Sequence, residues 1–79
     1  MNLKFSIHFQ QAIIERDVSI DDLKKVIRNP DNSHSSFGGR QVAQKEVNGK
    51  MLEVVYTESI TPSGKIEYTI ITAYYILNK

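Results

Sequence analysis

The stretch VNGKMLEVVY, residues 47–56, decides the fold, because it holds a tight reversal between two runs typical of strands. Asn48 and Gly49 both tolerate the positive φ that a type I′ turn requires, and this dipeptide between alternating apolar residues is a strong hairpin signal. The sequence therefore predicts an antiparallel hairpin with strands at residues 40–47 and 50–57.

A two-residue turn also fixes which side chains share a face of the hairpin. Val47 then lies opposite Lys50, and side chains two residues apart in a strand point the same way. The predicted set on one face is Gln41, Ala43, Lys45, Val47, Lys50, Leu52, Val54 and Tyr56. Lys45 thus has apolar neighbours. Either it serves a site on that face or, as is commoner, its stem packs while its ammonium reaches water past the sheet edge.

The C-terminal run IEYTIITAYYIL, residues 66–77, predicts a third long strand. It is rich in β-branched and aromatic residues and lacks polar alternation in its middle, which is typical of a central strand buried on both faces. The turn sequence TPSG at residues 61–64 leads into it. Residues 3–5 add a candidate short edge strand near the N-terminus.

Two helices are predicted before the hairpin. In the first, residues 7–18, a spacing of about 100° per residue sets Ile7 and Ile14 nearly opposite Phe9 and Ile13, so we expect a helix covered on two sides.

The second helix has clearer boundaries. Ser19 offers an N-cap with Asp22 three positions later, and Pro30 stops the helix after Asn29. Its apolar positions at helical spacing are Ile20, Leu23, Val26 and Ile27. The following PDNSHSSFGG, residues 30–39, is predicted to be a loop between the helical half and the strand half.

This order predicts one α+β domain over residues 1–79, with two N-terminal helices packed on an antiparallel three- to four-stranded sheet. Of the residues, 41% are hydrophobic and 24% charged, none is cysteine, and the net charge is +1. That balance argues against nucleic-acid binding by bulk charge alone, and the apolar runs are too short to cross a bilayer. We expect a cytoplasmic protein without cofactor or disulfide; the oligomeric state is not indicated.

The candidate chemistry begins at His8. Positions 8, 12 and 16 share one flank of the first helix, and because helical side chains lean towards the N-terminus, Arg16 extends over the small Ala12 towards His8. An imidazole exchanges the proton of a ribose 2′-hydroxyl and a guanidinium holds phosphate oxygens, so the pair suits phosphodiester cleavage. The commoner alternatives are a structural or solvated His8 and a surface ion pair between Arg16 and Asp17.

Other site chemistries are poorly represented. With no cysteine and no carboxylates at helical ligand spacing, no metal site is expected. Thr72 and Tyr74 alternate on the last strand, where they either line a cleft on one face or pack in the core.

The ordered motifs FSIH, RDVSIDDL, NP, GR, VNGKMLEVVY and ITAYY resemble a bacterial family of small domains of unknown function, number 4258. That family is similar to the RelE/BrnT-like ribonuclease toxins. The resemblance implies a helix-helix-sheet fold and a metal-independent RNA endonuclease inhibited by a cognate antitoxin. It implies functional roles for His8, Arg16 and Arg40, and Thr72 and Tyr74 fall in the closing motif.

Two positions depart from the family pattern. Its first helical Arg, four residues after the His, is Ala12 here, which removes a cation. Asp17 stands where Gly commonly follows the second Arg. Asp also adopts the left-handed conformation at a helix end, so the fold tolerates this change.

The leading hypothesis is a toxin-type RNA endonuclease, with RNA and a cognate antitoxin as partners. The expected catalytic residues are His8 as acid or base, Arg16 and Arg40 on phosphate, and Lys45 on transition-state charge; the expected substrate-binding residues are Thr72 and Tyr74. The alternative is a non-catalytic protein- or RNA-binding module of the same fold, favoured by the near-neutral charge and by Ala12.

Overall fold

The computed structural model describes residues 2–15 and 17–76, in which two helices lie against one sheet. The elements in chain order are β1 (Asn2–Phe5), α1 (Ile7–Glu15), α2 (Ile20–Arg28), β2 (Asn32–Ser35), a single 3-10 turn (Phe37–Gly39), β3 (Arg40–Val47), β4 (Lys50–Ile60) and β5 (Ile66–Ile76). The predicted α+β class is confirmed. Residues 16 and 77, which the predicted first helix and last strand include, lie outside the described residues.

The sheet has five strands in the order β1-β5-β4-β3-β2. β1 pairs with β5 in parallel, and all other neighbours in this order are antiparallel. The prediction of an antiparallel sheet with three to four strands is therefore wrong in strand number and, at the β1 edge, in direction. The additional strand is β2, which lies in a predicted loop, and the difference in direction comes from β1, a predicted candidate strand that pairs in parallel.

β2 lies within residues 30–39, where the sequence predicts a loop. Its four side chains, NSHS, are polar and exposed, so their composition carries no sign of a half-buried strand. The segment is a strand because its backbone pairs with β3, with Asn32 opposite Gln44 and Ser35 opposite Gln41. Such an edge strand owes its conformation to its neighbour more than to its own propensity.

β3 and β4 form the predicted hairpin. Asn48 has a φ of 53° and Gly49 a φ of 81°, and Val47 pairs with Lys50. The predicted shared face is confirmed by this register, and its buried members are Ala43, Val47, Leu52, Val54 and Tyr56.

The two helices cover this face of the sheet, with α1 against β5 and α2 against β3 and β4. Between the layers lies one core, made of Phe9, Ala12, Val18, Leu23, Val26, Ile27, Ala43, Val47, Leu52, Val54, Tyr56, Ile70 and Ala73. β5 is an interior strand between β1 and β4, as predicted. The helices cover only one of its faces, however, so the prediction of burial on both faces is wrong.

α1 is likewise covered on one side, not on two. Phe9 is fully buried and Ala12 is 8% exposed, whereas Ile7 and Ile14 are 80% and 84% exposed. The helix ends at Glu15. Asp17 follows with a φ of 52°, the left-handed conformation that Asp is expected to tolerate here, so the predicted end of the helix at residue 18 is wrong.

α2 has the predicted boundaries. The Ser19 side chain accepts a hydrogen bond from the Asp22 backbone N–H at 3.1 Å, and Asn29 caps the C-terminal end. Leu23, Val26 and Ile27 are its buried residues. Within residues 2–15 and 17–76, no helix combines the length and apolar character that a membrane crossing requires.

Candidate functional site

The candidate site is on the open face, by which we mean the face of the sheet opposite the two helices. Ala43 and Val47 of β3 point into the core, so the even-numbered residues of β3 point the other way. Their cross-strand partners on β2, β4 and β5 share that face. The strand register therefore determines which side chains lie together on the open face.

Two valines form an apolar floor in the middle of the open face. Val42 of β3 pairs with Val55 of β4, and Val42 is only 9% exposed although no helix covers it. Polar side chains surround the pair, and we call them the polar ring: His34, Arg40, Gln44, Glu53, Thr57, Thr72 and Tyr74.

The sides of the ring follow from strand pairing. His34 of β2 pairs with Val42, and Thr72 of β5 pairs with Val55, so these two flank the floor laterally. Arg40 and Thr57 pair at one end of the floor. From strand spacing and rise, the ring spans roughly 14 Å in each direction, which is wide enough for a short stretch of an extended ligand.

The other end of the floor is closed by a hydrogen-bonded row. Gln44 Nε2 donates to Glu53 Oε1 at 2.6 Å, and the Tyr74 hydroxyl donates to Glu53 Oε2. Donors from the strands on either side thus hold both oxygens of one carboxylate. A carboxylate oriented in this way can accept a proton from a bound hydroxyl.

His34 and Arg40 provide the second chemical element of the ring. Because His34 pairs with Val42, Arg40 is its diagonal neighbour on β3, within reach for long side chains. The Ser36 backbone N–H donates to the Arg40 carbonyl at 2.8 Å, which ties the two strands at this point. Both side chains are exposed, so an imidazole and a guanidinium are available to one anion from solvent.

The structure brings together three of the residues predicted from sequence. Arg40, Thr72 and Tyr74 all belong to the polar ring. Lys45 does not, since odd-numbered residues of β3 point towards the helices.

Lys45 has a contact of its own at the sheet edge. Its Nζ lies 3.6 Å from Asp31 Oδ1, so the ammonium leaves the apolar face and meets a carboxylate. The Glu46 backbone N–H donates to Asp31 Oδ2 at 3.0 Å. This hydrogen bond, with the nearby Lys45 charge, lowers the pKa of Asp31 below its usual value. The contact between Lys45 and Asp31 therefore joins β3 to the segment that precedes β2.

His8 is also apart from the ring. It is the second residue of α1 and is exposed, and α1 belongs to the helix layer on the opposite side of the sheet. Ala12, the middle of the predicted flank, faces the core. Arg16 lies outside the described residues, so the predicted pair of His8 with Arg16 stays a prediction.

Sequence reasoning missed His34, Gln44, Glu53 and Thr57. The hairpin register would have found three of them, because the register that pairs Val47 with Lys50 also sets Gln44 opposite Glu53 and Arg40 opposite Thr57. His34 gave a weaker signal, since it lies in an all-polar edge strand.

No curated protein and no solved structure matches the chain. A family described as "Domain of unknown function (DUF4258)" matches residues 5–75. The match includes both helices and every residue of the polar ring. By this match over most of its length, the chain belongs to the DUF4258 family.

Proposed function

We propose that this protein is a metal-independent RNA endonuclease of toxin type that cleaves RNA on the open face of its sheet. The polar ring carries the proposal, because it gathers an imidazole, a guanidinium and a doubly hydrogen-bonded carboxylate around one apolar floor. The resemblance to RelE/BrnT-like toxins supports the same activity. Such a toxin acts in the cytoplasm, where a cognate antitoxin holds it inactive.

The proposed reaction is an internal transesterification. The Glu53 carboxylate takes the proton of a ribose 2′-hydroxyl, and the 2′-oxygen attacks the adjacent phosphorus. The bond from phosphorus to the 5′-oxygen breaks, and the imidazolium of His34 gives its proton to that oxygen. The products are a 2′,3′-cyclic phosphate and a 5′-hydroxyl, so the step needs neither water nor a metal ion.

The remaining ring residues bind and orient. Arg40 holds the non-bridging phosphate oxygens, where negative charge grows in the transition state. Gln44 and Tyr74 keep the carboxylate in position by their hydrogen bonds. Thr72 offers a hydroxyl to the sugar on the β5 side of the floor.

The two histidines of the chain make a matched test. Wild type, His34→Ala and His8→Ala are incubated with total tRNA and mRNA in EDTA, and new ends are mapped. We expect wild type and His8→Ala to leave cyclic-phosphate ends, and His34→Ala to be slower by about 10²- to 10⁴-fold, the usual effect of losing a general acid or base. If His8→Ala loses RNA cleavage while His34→Ala keeps full activity, the catalytic histidine would instead be His8, in the helix layer.

The carboxylate has its own matched pair. Glu53→Gln should lose cleavage, whereas Glu58→Gln, an exposed carboxylate on the same strand, should keep it. Cyclic-phosphate ends from Glu53→Gln at the wild-type rate would remove Glu53 from the mechanism.

The second candidate function is a non-catalytic protein- or RNA-binding module of the same fold. The net charge of +1 and the alanine at position 12 favour it. Its signature is RNA binding or partner binding by folded protein that produces no new RNA ends. Absence of cleavage by folded wild type, with any RNA, would favour this function over the ribonuclease.

A further inference from the structure

Phe37 is the most exposed large apolar side chain among residues 2–15 and 17–76. Its exposure is 94%, against 84% for Ile14 and 80% for Ile7. A phenyl ring in water forgoes the favourable free energy of burial. The position of this ring, at the tip between β2 and β3 and three residues from Arg40, suggests a ligand.

The backbone holds Phe37 in a fixed relation to Arg40. The Arg40 backbone N–H donates to the Phe37 carbonyl, and the Ser36 N–H donates to the Arg40 carbonyl. Gly38 and Gly39 between them have φ values of 69° and 74°, in the left-handed region that glycine adopts without strain. The phenyl group of Phe37 therefore lies on a turn of defined geometry, next to the residues of the polar ring.

Space and charge around Phe37 suit a nucleotide. Apart from the residues directly before and after each glycine, no heavy atom lies within 4 Å of a Cβ built at Gly38 or Gly39, so a bulky ligand can approach. Residues 32–45 contain no Asp or Glu, while they include His34 and Arg40. A phosphate can therefore come close to the turn without meeting a carboxylate of residues 32–45, since Glu46 lies at the far end of β3.

We infer that Phe37 is a stacking platform for an unpaired base of single-stranded RNA, whose adjacent phosphate is held by Arg40. Bases stack on exposed aromatic rings in proteins that bind single strands, and a guanidinium nearby binds the backbone. A base inside a duplex has both faces occupied by its neighbours and cannot stack in this way. The inference rests on the proposed function and specifies its substrate as unpaired RNA.

The test measures affinity with a labelled single-stranded RNA oligonucleotide and with the duplex of the same sequence. Phe37→Ala should weaken single-strand binding by about 5- to 150-fold, the range reported by alanine substitution at stacking positions. Phe37→Leu should lose as much, because leucine is apolar but has no π face. Ile60→Ala, which shortens another exposed apolar residue (74% exposed), should bind like wild type.

Phe37→Trp gives a direct readout of stacking. The chain contains no tryptophan, so the new indole is the only one, and its fluorescence should be quenched by the single strand and not by the duplex. Wild-type affinity in Phe37→Ala, or in Phe37→Leu, would overturn the inference and favour a protein contact for this residue. Failure of wild type to bind the single strand would overturn it as well.

The outcomes separate this inference from the proposed function. If Glu53→Gln abolishes cleavage while Phe37→Ala binds and cleaves like wild type, the stacking role fails and the ribonuclease stands. If single-strand binding depends on the ring of Phe37 but no variant or wild type cleaves RNA, the stacking role stands and the ribonuclease fails.

Discussion

Tyr74 and Glu53 are cross-strand partners on the open face, and the Tyr74 hydroxyl donates a hydrogen bond to Glu53 Oε2. The other oxygen of the same carboxylate accepts from Gln44. Three neighbouring strands therefore converge on one carboxylate, so its orientation depends on the sheet register and not on a flexible loop.

This pairing predicts a measurable coupling between the two residues. In a double-mutant cycle with Tyr74→Phe and Glu53→Ala, we expect a coupling of about 0.5–1 kcal/mol in the free energy of unfolding. The value lies below the about 1.5–3 kcal/mol typical of a hydrogen bond to a charged group, because Tyr74 is 38% exposed and water competes. Urea unfolding measures it, and strictly additive single-mutant effects would contradict the pairing.

The one-sided burial of α1 predicts a contrast between two of its residues. Phe9→Ala should reduce the free energy of unfolding by about 3–5 kcal/mol, because Phe9 is fully buried and its ring packs 5.8 Å from that of Phe5. Ile14→Ala, at 84% exposure, should change it by less than about 0.5 kcal/mol. Chemical denaturation of both variants gives the comparison. A large loss in Ile14→Ala would mean that a second copy or a partner covers this side of the helix.

The backbone at Asp17 predicts how substitutions there behave. Its φ of 52° disfavours residues with a branched Cβ, so Asp17→Val should destabilise the fold by about 1–2 kcal/mol. Asp17→Gly should be within about 1 kcal/mol of wild type, because relief of backbone strain offsets the greater entropy of the unfolded chain. A higher urea midpoint for Asp17→Val than for Asp17→Gly would show that the left-handed backbone at this position does not determine the order of stability.

Asp31 predicts a pH dependence. The Glu46 N–H and then Lys45 lower the pKa of the folded-state carboxyl below its usual 3.8, so ionised Asp31 stabilises the fold above that pH. The stabilisation is lost as the pH falls through the lower, folded-state pKa. We therefore expect Asp31→Asn to have a lower urea midpoint than wild type at pH 6, with the difference shrinking only below about pH 4. A difference that persists unchanged at pH 2 would contradict this origin.

The register of the central hairpin could be predicted from the sequence because Asn48 and Gly49 determine it locally. Because side chains along a strand alternate between its two faces, Arg40 and Lys45, which are five residues apart, lie on opposite faces. The alternation of β3 thus already argued against one site containing both. The N-terminal end of α2 could also be predicted from the sequence, because Ser19 caps it through a hydrogen bond from Asp22, only three residues away.

The existence of β2 and the parallel pairing of β1 could not be predicted from local sequence. The strand conformation of Asn32–Ser35 depends on hydrogen bonds to β3, and its side chains show no apolar face. β1 pairs with β5, more than sixty residues away along the chain. His34 was missed for the same reason, because a histidine in an exposed polar run looks like a loop residue until its partner strand is known.

The edge position of β2 has a consequence for control. This strand brings His34 to the ring, yet its four exposed side chains contribute nothing to the core. Segments with so few apolar contacts open at a lower free energy than the whole domain unfolds. Detaching β2 takes the imidazole away from the carboxylate while the helices and the central strands stay packed. Detachment of this one short strand would therefore disassemble the proposed site, and a protein that captures β2 would remove His34 from the polar ring without unfolding the domain.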